Sequence, residues 1–314
     1  MYFYKAFGMT FSSEVEINDF LKIEESESND ILYRYGNIEL PPDLDKTAAM
    51  VITSHPEGVL LYWREIGTFL VENGHAVTIK ANTSPPRNGL IRSVLIGPVL
   101  GVLMYQRKSH YVYHSSVVSK IDGKGAIAFM AMKGGGKSTM AAAMLKNGYS
   151  LVSDDLLALC SNTKLPVVQS GFPSMKLWLD SAEHLGENDD DLPALGENVV
   201  YDKRILSLKD DFLDSEDSLN CAVLLEYEDI DEPKLIKLSK KEALIYLIPH
   251  WYGAMFNGQM IPILGKKRLI DEIAYLADKG IIYKLIRPRS LEKLNSSVNI
   301  VDELRDEICR ENVI

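Results

Sequence analysis

The chain has 314 residues, enough for one large domain or two moderate ones, and its 46% hydrophobic and 25% charged content is that of a globular protein with a sizeable core. Its net charge of −10 argues against a general nucleic-acid binder, which needs a basic surface for the phosphate backbone, and leaves room for a basic partner or substrate. Cys160, Cys221 and Cys309 are odd in number, far apart and without CxxC or Cys/His spacing, which argues against zinc and for free thiols in a reducing cytoplasm.

In chain order, "MYFYKAFGMTFSSEVE" lacks a basic segment followed by an apolar one, so no signal peptide is expected. "YFYKAFGMTF" and "DILYRYGNIEL" have the aromatic and β-branched character of strands. Residues 58–81 read as three short strands with turns near "REIG" and "ENGH", and Asn73-Gly74 is a strong hairpin signal. "TSPPRNG", 83–89, breaks the pattern, and an apolar helix is predicted over about 89–106. Its charge-free part, 93–105, contains Pro98 and falls short of the roughly 20 residues a membrane span needs. A buried helix without membrane association is therefore expected. The division that follows is a β-rich N-terminal module over 1–88 and a catalytic domain over 89–314.

Beyond it, "YVYHSSVVSK", 111–120, reads as a strand and "DGKG", 122–125, as a turn. "AIAFMA", 126–131, is a wholly apolar strand of the kind buried on both faces. "KSTMAAAMLKNG" is a helix that Gly148 ends, and "YSLVSDDLLAL" is another strand. Strand, helix and strand have the size of a βαβ unit, with the two strands parallel and adjacent. "GENDDDLP", 186–193, reads as a solvated acidic loop, and "DKRIL" carries a basic pair. "NCAVLLEYE" and "IIYKLIRP" are strands; "KEALIYLIPHWYGAM", "RLIDEIAYLADKG" and "SVNIVDELRDEICREN" are helical. No internal repeat is visible. The fold class is α/β: a phosphate-loop core with a mixed sheet and flanking helices, preceded by the smaller β-rich module.

The chemistry concentrates at Ala131–Ser138, "AMKGGGKS", which matches seven of the eight positions of the phosphate-loop pattern G-x-x-x-x-G-K-[ST]. Glycines permit the dihedrals that turn successive N–H groups towards an anion, and the helix that follows offers its free N–H groups. Gly134, Gly135, Gly136, Lys137, Ser138 and Thr139 are the candidate nucleotide contacts. Lys137 would reach the β- and γ-phosphates of ATP, and the Ser138 hydroxyl would complete a Mg²⁺ shell. Ala131 replaces the first glycine at the least demanding position.

Asp154 and Asp155 lie at the end of the next strand, at the sheet edge where open α/β sheets bind ligands. Alternate residues of a strand point oppositely, so the pair divides two roles, one on Mg²⁺ and the other accepting a hydroxyl proton. His114 is a candidate for orienting a catalytic aspartate or touching phosphate. Lys203 and Arg204 are candidates for neutralising the transferred phosphate. The remaining histidines, at 55, 75, 110, 184 and 250, show no ligand spacing.

"YHSSVV", "KGGGKST" and "LVSDD" resemble the catalytic core of HPr kinase/phosphorylase, a bacterial serine kinase with a phosphoenolpyruvate-carboxykinase-like fold. The resemblance covers about 110–160. It implies that His114 is the active-site histidine, Lys137 and Ser138 the phosphate and metal residues, Asp154 the base, and Asp155 its acidic, metal-binding neighbour. The whole layout looks more like the HPr-kinase-like proteins of peptide natural-product clusters, some of which phosphorylate the C-terminal serine of a lasso-peptide precursor. The family's metal-binding glutamate has Gln169 as its counterpart here, in "VVQSGFP".

The expected activity is an ATP- and Mg²⁺-dependent kinase acting on a peptide or small protein that carries a serine. Alternatives are an HPr kinase/phosphorylase, a kinase of free serine or another small molecule, and a non-catalytic nucleotide-binding regulatory module. A homo-oligomer is left open.

Overall fold

The computed structural model describes residues 1–25, 29–84, 86–120, 125–161, 163–186, 203–256 and 258–311. The expected turn at 122–124 and the acidic run 187–193 lie outside these residues.

The N-terminal strands are β1 (Tyr2–Ala6), β2 (Met9–Ser13), β3 (Leu21–Lys22), β4 (Ile31–Tyr35), β5 (Met50–His55), β6 (Gly58–Trp63), β7 (Gly67–Glu72) and β8 (Ala76–Ala81). They form one eight-stranded sheet in the order β3-β1-β2-β4-β8-β7-β6-β5. The three strands expected over 58–81 are β6, β7 and β8. Asn73 and Gly74 turn the last pair with φ of 51° and 79°, the left-handed values a type I′ turn requires.

Next come α1 (Asn88–Val94) and α2 (Leu100–Arg107), joined by a π-helical stretch, Leu95–Val99, that contains Pro98. Asn88–Arg107 is long and apolar enough to cross a membrane, yet 67% of its most apolar stretch is buried inside the protein. Ile91, Leu95, Val99 and Leu103 share a core cluster with Phe11, Phe69 and Val77 of the N-terminal sheet. The sheet's apolar face is thus what covers the helix.

The rest of the chain gives, in order, β9 (His110–Tyr113), β10 (Ser116–Lys120), β11 (Ala126–Met130), α3 (Lys137–Lys146), β12 (Tyr149–Ser153), β13 (Leu157–Cys160), β14 (Val167–Val168), β15 (Ser174–Trp178) and α4 (Leu179–His184). Then follow β16 (Lys203–Ser207), β17 (Asp217–Tyr227), β18 (Lys234–Lys237), α5 (Lys240–Leu247), α6 (Met260–Leu264), α7 (Lys266–Ala277), β19 (Ile282–Arg287) and α8 (Leu294–Glu311). All these strands except the β15–β16 hairpin form a nine-stranded mixed sheet. Met140 and Met144 of α3 and Val298 and Val301 of α8 pack in one core cluster. Ala243 and Leu247 of α5 and Ile273 and Leu276 of α7 pack in another. β11 contributes to both, which is why its run is wholly apolar.

Two expectations need correction. The strands read from "YVYHSSVVSK" and "YSLVSDDLLAL" each break in two, at His114–Ser115 and at Asp154–Leu156. Their first and second halves pair in different parts of the sheet, β9 with β13 and β10 with β12. The break at the aspartates is a backbone event, since Asp155 has φ of 66°. Secondly, β11 and β12 are not adjacent: β10 lies between them, antiparallel to both. An apolar run announces burial but not which strand sits beside it.

Candidate functional site

Strands β11, β17 and β19 run parallel, so their C-terminal ends share one edge of the sheet. The glycine loop leaves β11 at that edge and enters α3 at Lys137. Gly134 and Gly136 both have φ of 80°, the left-handed region that opens the loop's N–H groups inward. A Cβ on Gly135 would stand 2.6 Å from the Ala131 Cβ, and one on Gly136 would stand 2.3 Å from Arg287 Nη2. The loop is therefore closed tightly on itself. Ala131 itself is buried in the core, where its methyl group packs. Lys137 is buried too, and its ammonium donates to the Ala131 carbonyl at 3.4 Å, inside the loop it opens onto.

Asp154 is the centre of the hydrogen bonding. Its Oδ1 accepts from Ser138 Oγ at 3.0 Å and from Ser116 Oγ at 2.6 Å, and its Oδ2 accepts from the Lys176 backbone N–H at 3.0 Å. Only 3% of Asp154 is exposed. Burial, then the neighbouring Asp155 charge, raise its carboxyl above the ordinary carboxylate range, against the pull of the Ser116 bond. Asp155 points elsewhere, its left-handed φ of 66° turning it away from Asp154 at the break between β12 and β13. Its side chain is 31% exposed and its Oδ2 meets Lys176 Nζ at 3.0 Å. Burial disfavours the Lys176 charge, but Asp155, Asp154 and Asp19 together hold its ammonium above its ordinary value.

Lys176 escaped sequence reasoning; the only trace of it there is one cation in the otherwise apolar "SMKLW". Arg287 escaped likewise, at the end of the apolar strand β19. It is buried, and its Nη2 donates to the carbonyls of Gly135 at 3.1 Å and Gly136 at 3.4 Å and to the Tyr227 hydroxyl at 3.1 Å. It thereby ties down two loop carbonyls, while the Gly135 N–H is itself taken by the Met132 carbonyl at 2.8 Å.

His114 reaches the site through Nδ1, 2.9 Å from the backbone oxygen of Asp155. The imidazole thus braces the backbone of the aspartate at its left-handed turn. The His114 N–H donates to the His250 carbonyl at 2.8 Å. His250 is buried; burial, with smaller contributions from Lys137 and His114, pulls it down to about 4. This histidine, without ligand spacing in the sequence, belongs to the neighbourhood of Lys137.

Other expected residues stand apart. The Thr139 hydroxyl is buried against Ser181 Oγ at 3.1 Å, towards α4. Arg204 pairs in register with Leu177, one residue along from Lys176, which puts it on the opposite face of the hairpin. Lys203 pairs with Trp178, and its side chain lies outside the described residues. Gln169 donates its amide to Glu216 Oε1 at 2.6 Å and to Cys160 Sγ at 3.1 Å. Among the described residues no group of three His, Cys, Asp or Glu side chains gathers to hold a metal.

No protein-family profile matches the chain, and no curated protein does. Among solved structures it is similar to the HPr(Ser) kinase/phosphatase from Coxiella burnetii, at 10% identity over 62% of this chain and 98% of that chain, with a TM-score of 0.30. A likeness this distant carries no weight for the chemistry.

Proposed function

We propose that this chain is an ATP- and Mg²⁺-dependent kinase that phosphorylates a serine hydroxyl of a peptide, with the C-terminal serine of a lasso-peptide precursor as the acceptor that the sequence resemblance favours. One observation carries the reading: the Ser138 hydroxyl, second residue of the helix behind a glycine loop, donates to a buried aspartate, Asp154, at 3.0 Å. Phosphate-loop enzymes hold Mg²⁺ with this pair, a loop Ser/Thr and an Asp from a neighbouring strand. Mg²⁺ asks for little more from the protein, because it takes one or two carboxylates and completes its shell with water and phosphate oxygens.

The residues fit the substrate and the ion. The N–H groups of Gly134, of Gly136 and of the N-terminus of α3 bind the phosphates, the Gly135 N–H being held by the Met132 carbonyl, and Lys137 meets the β- and γ-phosphates. Bound Mg²⁺ would neutralise charge on the β- and γ-phosphate oxygens. Ser138 and Asp154 would hold it. Asp154 already receives three donors and is enclosed, so proton acceptance falls to the partly exposed Asp155 rather than to Asp154. Its carboxylate takes the proton of the serine hydroxyl as that oxygen bonds to the γ-phosphorus and the bond to ADP breaks. Lys176 balances the aspartate pair, and His114 holds the Asp155 backbone.

The test is incubation with ATP, Mg²⁺ and peptides ending in serine, read by mass spectrometry for one added phosphate. Phosphorylation of HPr or free serine alone would replace the acceptor. ATP binding with no acceptor modified would replace the kinase by a regulatory nucleotide-binding module.

A further inference from the structure

A cleft of about 530 Å³ opens beside the phosphate loop, between the segments that follow β17 and β19. Tyr227, Glu228 and Asp229 line one side, and Pro288, Arg289 and Ser290 the other. None of these residues has a part in the chemistry above.

The order of strands gives the loop a direction. Asp154 follows β12, which lies on one side of β11 across β10. β17 and then β19 lie on the other side. The end of a triphosphate that meets Ser138 and Asp154 therefore faces β12, and the rest of the molecule leaves towards β17 and β19. The cleft lies there. Its junction with the loop is built: Tyr227 Oη is 2.7 Å from where a Gly136 Cβ would stand, and Arg287 binds both that hydroxyl and the loop carbonyls. Arg287 is a buried cation, and its Nε has no hydrogen-bond partner among the described residues. A buried cation so placed favours an anionic ligand running from loop to cleft.

The lining suits a nucleoside. The Tyr227 ring lies under two guanidinium groups, Arg287 at 4.7 Å and Arg289 at 5.6 Å from its centroid, a flat cationic platform of the kind on which bases stack. The exposed carboxylates of Glu228 and Asp229 are acceptors for ribose hydroxyls.

We propose that this cleft is the nucleoside subsite, holding the purine of a nucleoside triphosphate against Tyr227 and Arg289 and its ribose against Glu228 or Asp229. This rests on the kinase reading, which supplies the triphosphate.

The experiment compares Mg²⁺-ATP with inorganic tripolyphosphate, which fills the loop but has no nucleoside, by calorimetric titration of the full chain. The variants are Arg289→Ala, which removes the guanidinium of the platform that does not touch the loop, and Ser290→Trp, which fills the cleft without touching the loop; their thermal unfolding is checked against the unaltered chain. The unaltered chain should prefer ATP by about tenfold or more, the size of a stacking contact. Both variants should lose that preference while keeping tripolyphosphate affinity within about twofold of the parent. A preference that survives Ser290→Trp overturns the subsite, as does loss of both probes together in the two variants. If the unaltered chain binds both probes equally, the subsite falls and the phosphate loop stands. If it binds neither, the kinase reading itself falls.

Discussion

At the residue scale the proposed division of the aspartate pair, with Asp154 on Mg²⁺ and Asp155 as base, is the reverse of what the family resemblance implies, which makes Asp154 the base and Asp155 its metal-binding neighbour. Asp154→Asn should raise the Mg²⁺ concentration for half-maximal activity at least about tenfold, because a charged ligand of the ion is lost. Asp155→Asn should instead lower kcat by about 10²–10⁴ with the Mg²⁺ dependence retained. Steady-state kinetics across a Mg²⁺ series distinguish them, and a reversed pattern would return the base to Asp154. Asparagine is the right probe at 155, since it is among the few residues at ease with φ of 66°. Two buried histidines supply a pH dependence. Burial pulls both His110 and His250 down to about 4 from an ordinary 6.5. Between those values the unfolded chain binds more protons than the folded one, so stability should rise with pH through this window and be lost as pH falls from 6.5 towards 4. Melting curves from pH 4 to 7 should show it, and His110→Asn should flatten the slope by roughly one proton. The glycine loop, the aspartates and His114 were legible in the sequence because each belongs to a spaced pattern. Lys176 and Arg287 were not, because a cation in a largely apolar strand has no pattern until the fold shows what surrounds it.

At the scale of elements, the glycine loop distinguishes two glycines with the same φ. Gly134→Ala meets open space and should cost about 1–2 kcal/mol of strain. Gly136→Ala adds a clash with Arg287 Nη2 at 2.3 Å, so it should cost more and also weaken nucleotide binding. Urea denaturation with ATP titration compares the two. Helix α5 is closed by a capping box, with Ser239 and Glu242 each bonding the other's backbone N–H. Ser239→Ala should destabilise by about 1 kcal/mol in the same assay, with catalysis unaffected. Elements with strong local signals, such as the hairpin at Asn73-Gly74 and helix α3, were readable. The breaks at His114–Ser115 and Asp154–Leu156 were not, because the segments on both sides of each break are rich in strand-forming residues. What divides them is a choice of partner, made across the sheet.

At the scale of the molecule, the N-terminal sheet and the part that carries the glycine loop meet through named contacts. The Phe7 N–H donates to the Ser170 carbonyl at 2.8 Å, and Asp19 joins Arg92 at 3.0 Å to Ser174 Oγ at 3.2 Å. These reach the segment that leads into Lys176. Removing residues 1–87 would strip the cover from the apolar face of Asn88–Arg107. The remainder should aggregate or bind a hydrophobic dye strongly, and a monodisperse, ATP-binding product would show that the second part stands alone. The β-rich character of the first part was visible in composition, but its attachment was not, because it depends on single residues far apart in the chain. The cluster around the helix also sets a timetable for synthesis. It draws on Tyr4 and Phe11 at one end of the chain and on Tyr252, Phe256 and Met260 near the other. A nascent chain emerging from the ribosome can lay the helix on its sheet early, yet it closes that core only after most of the polypeptide has been made.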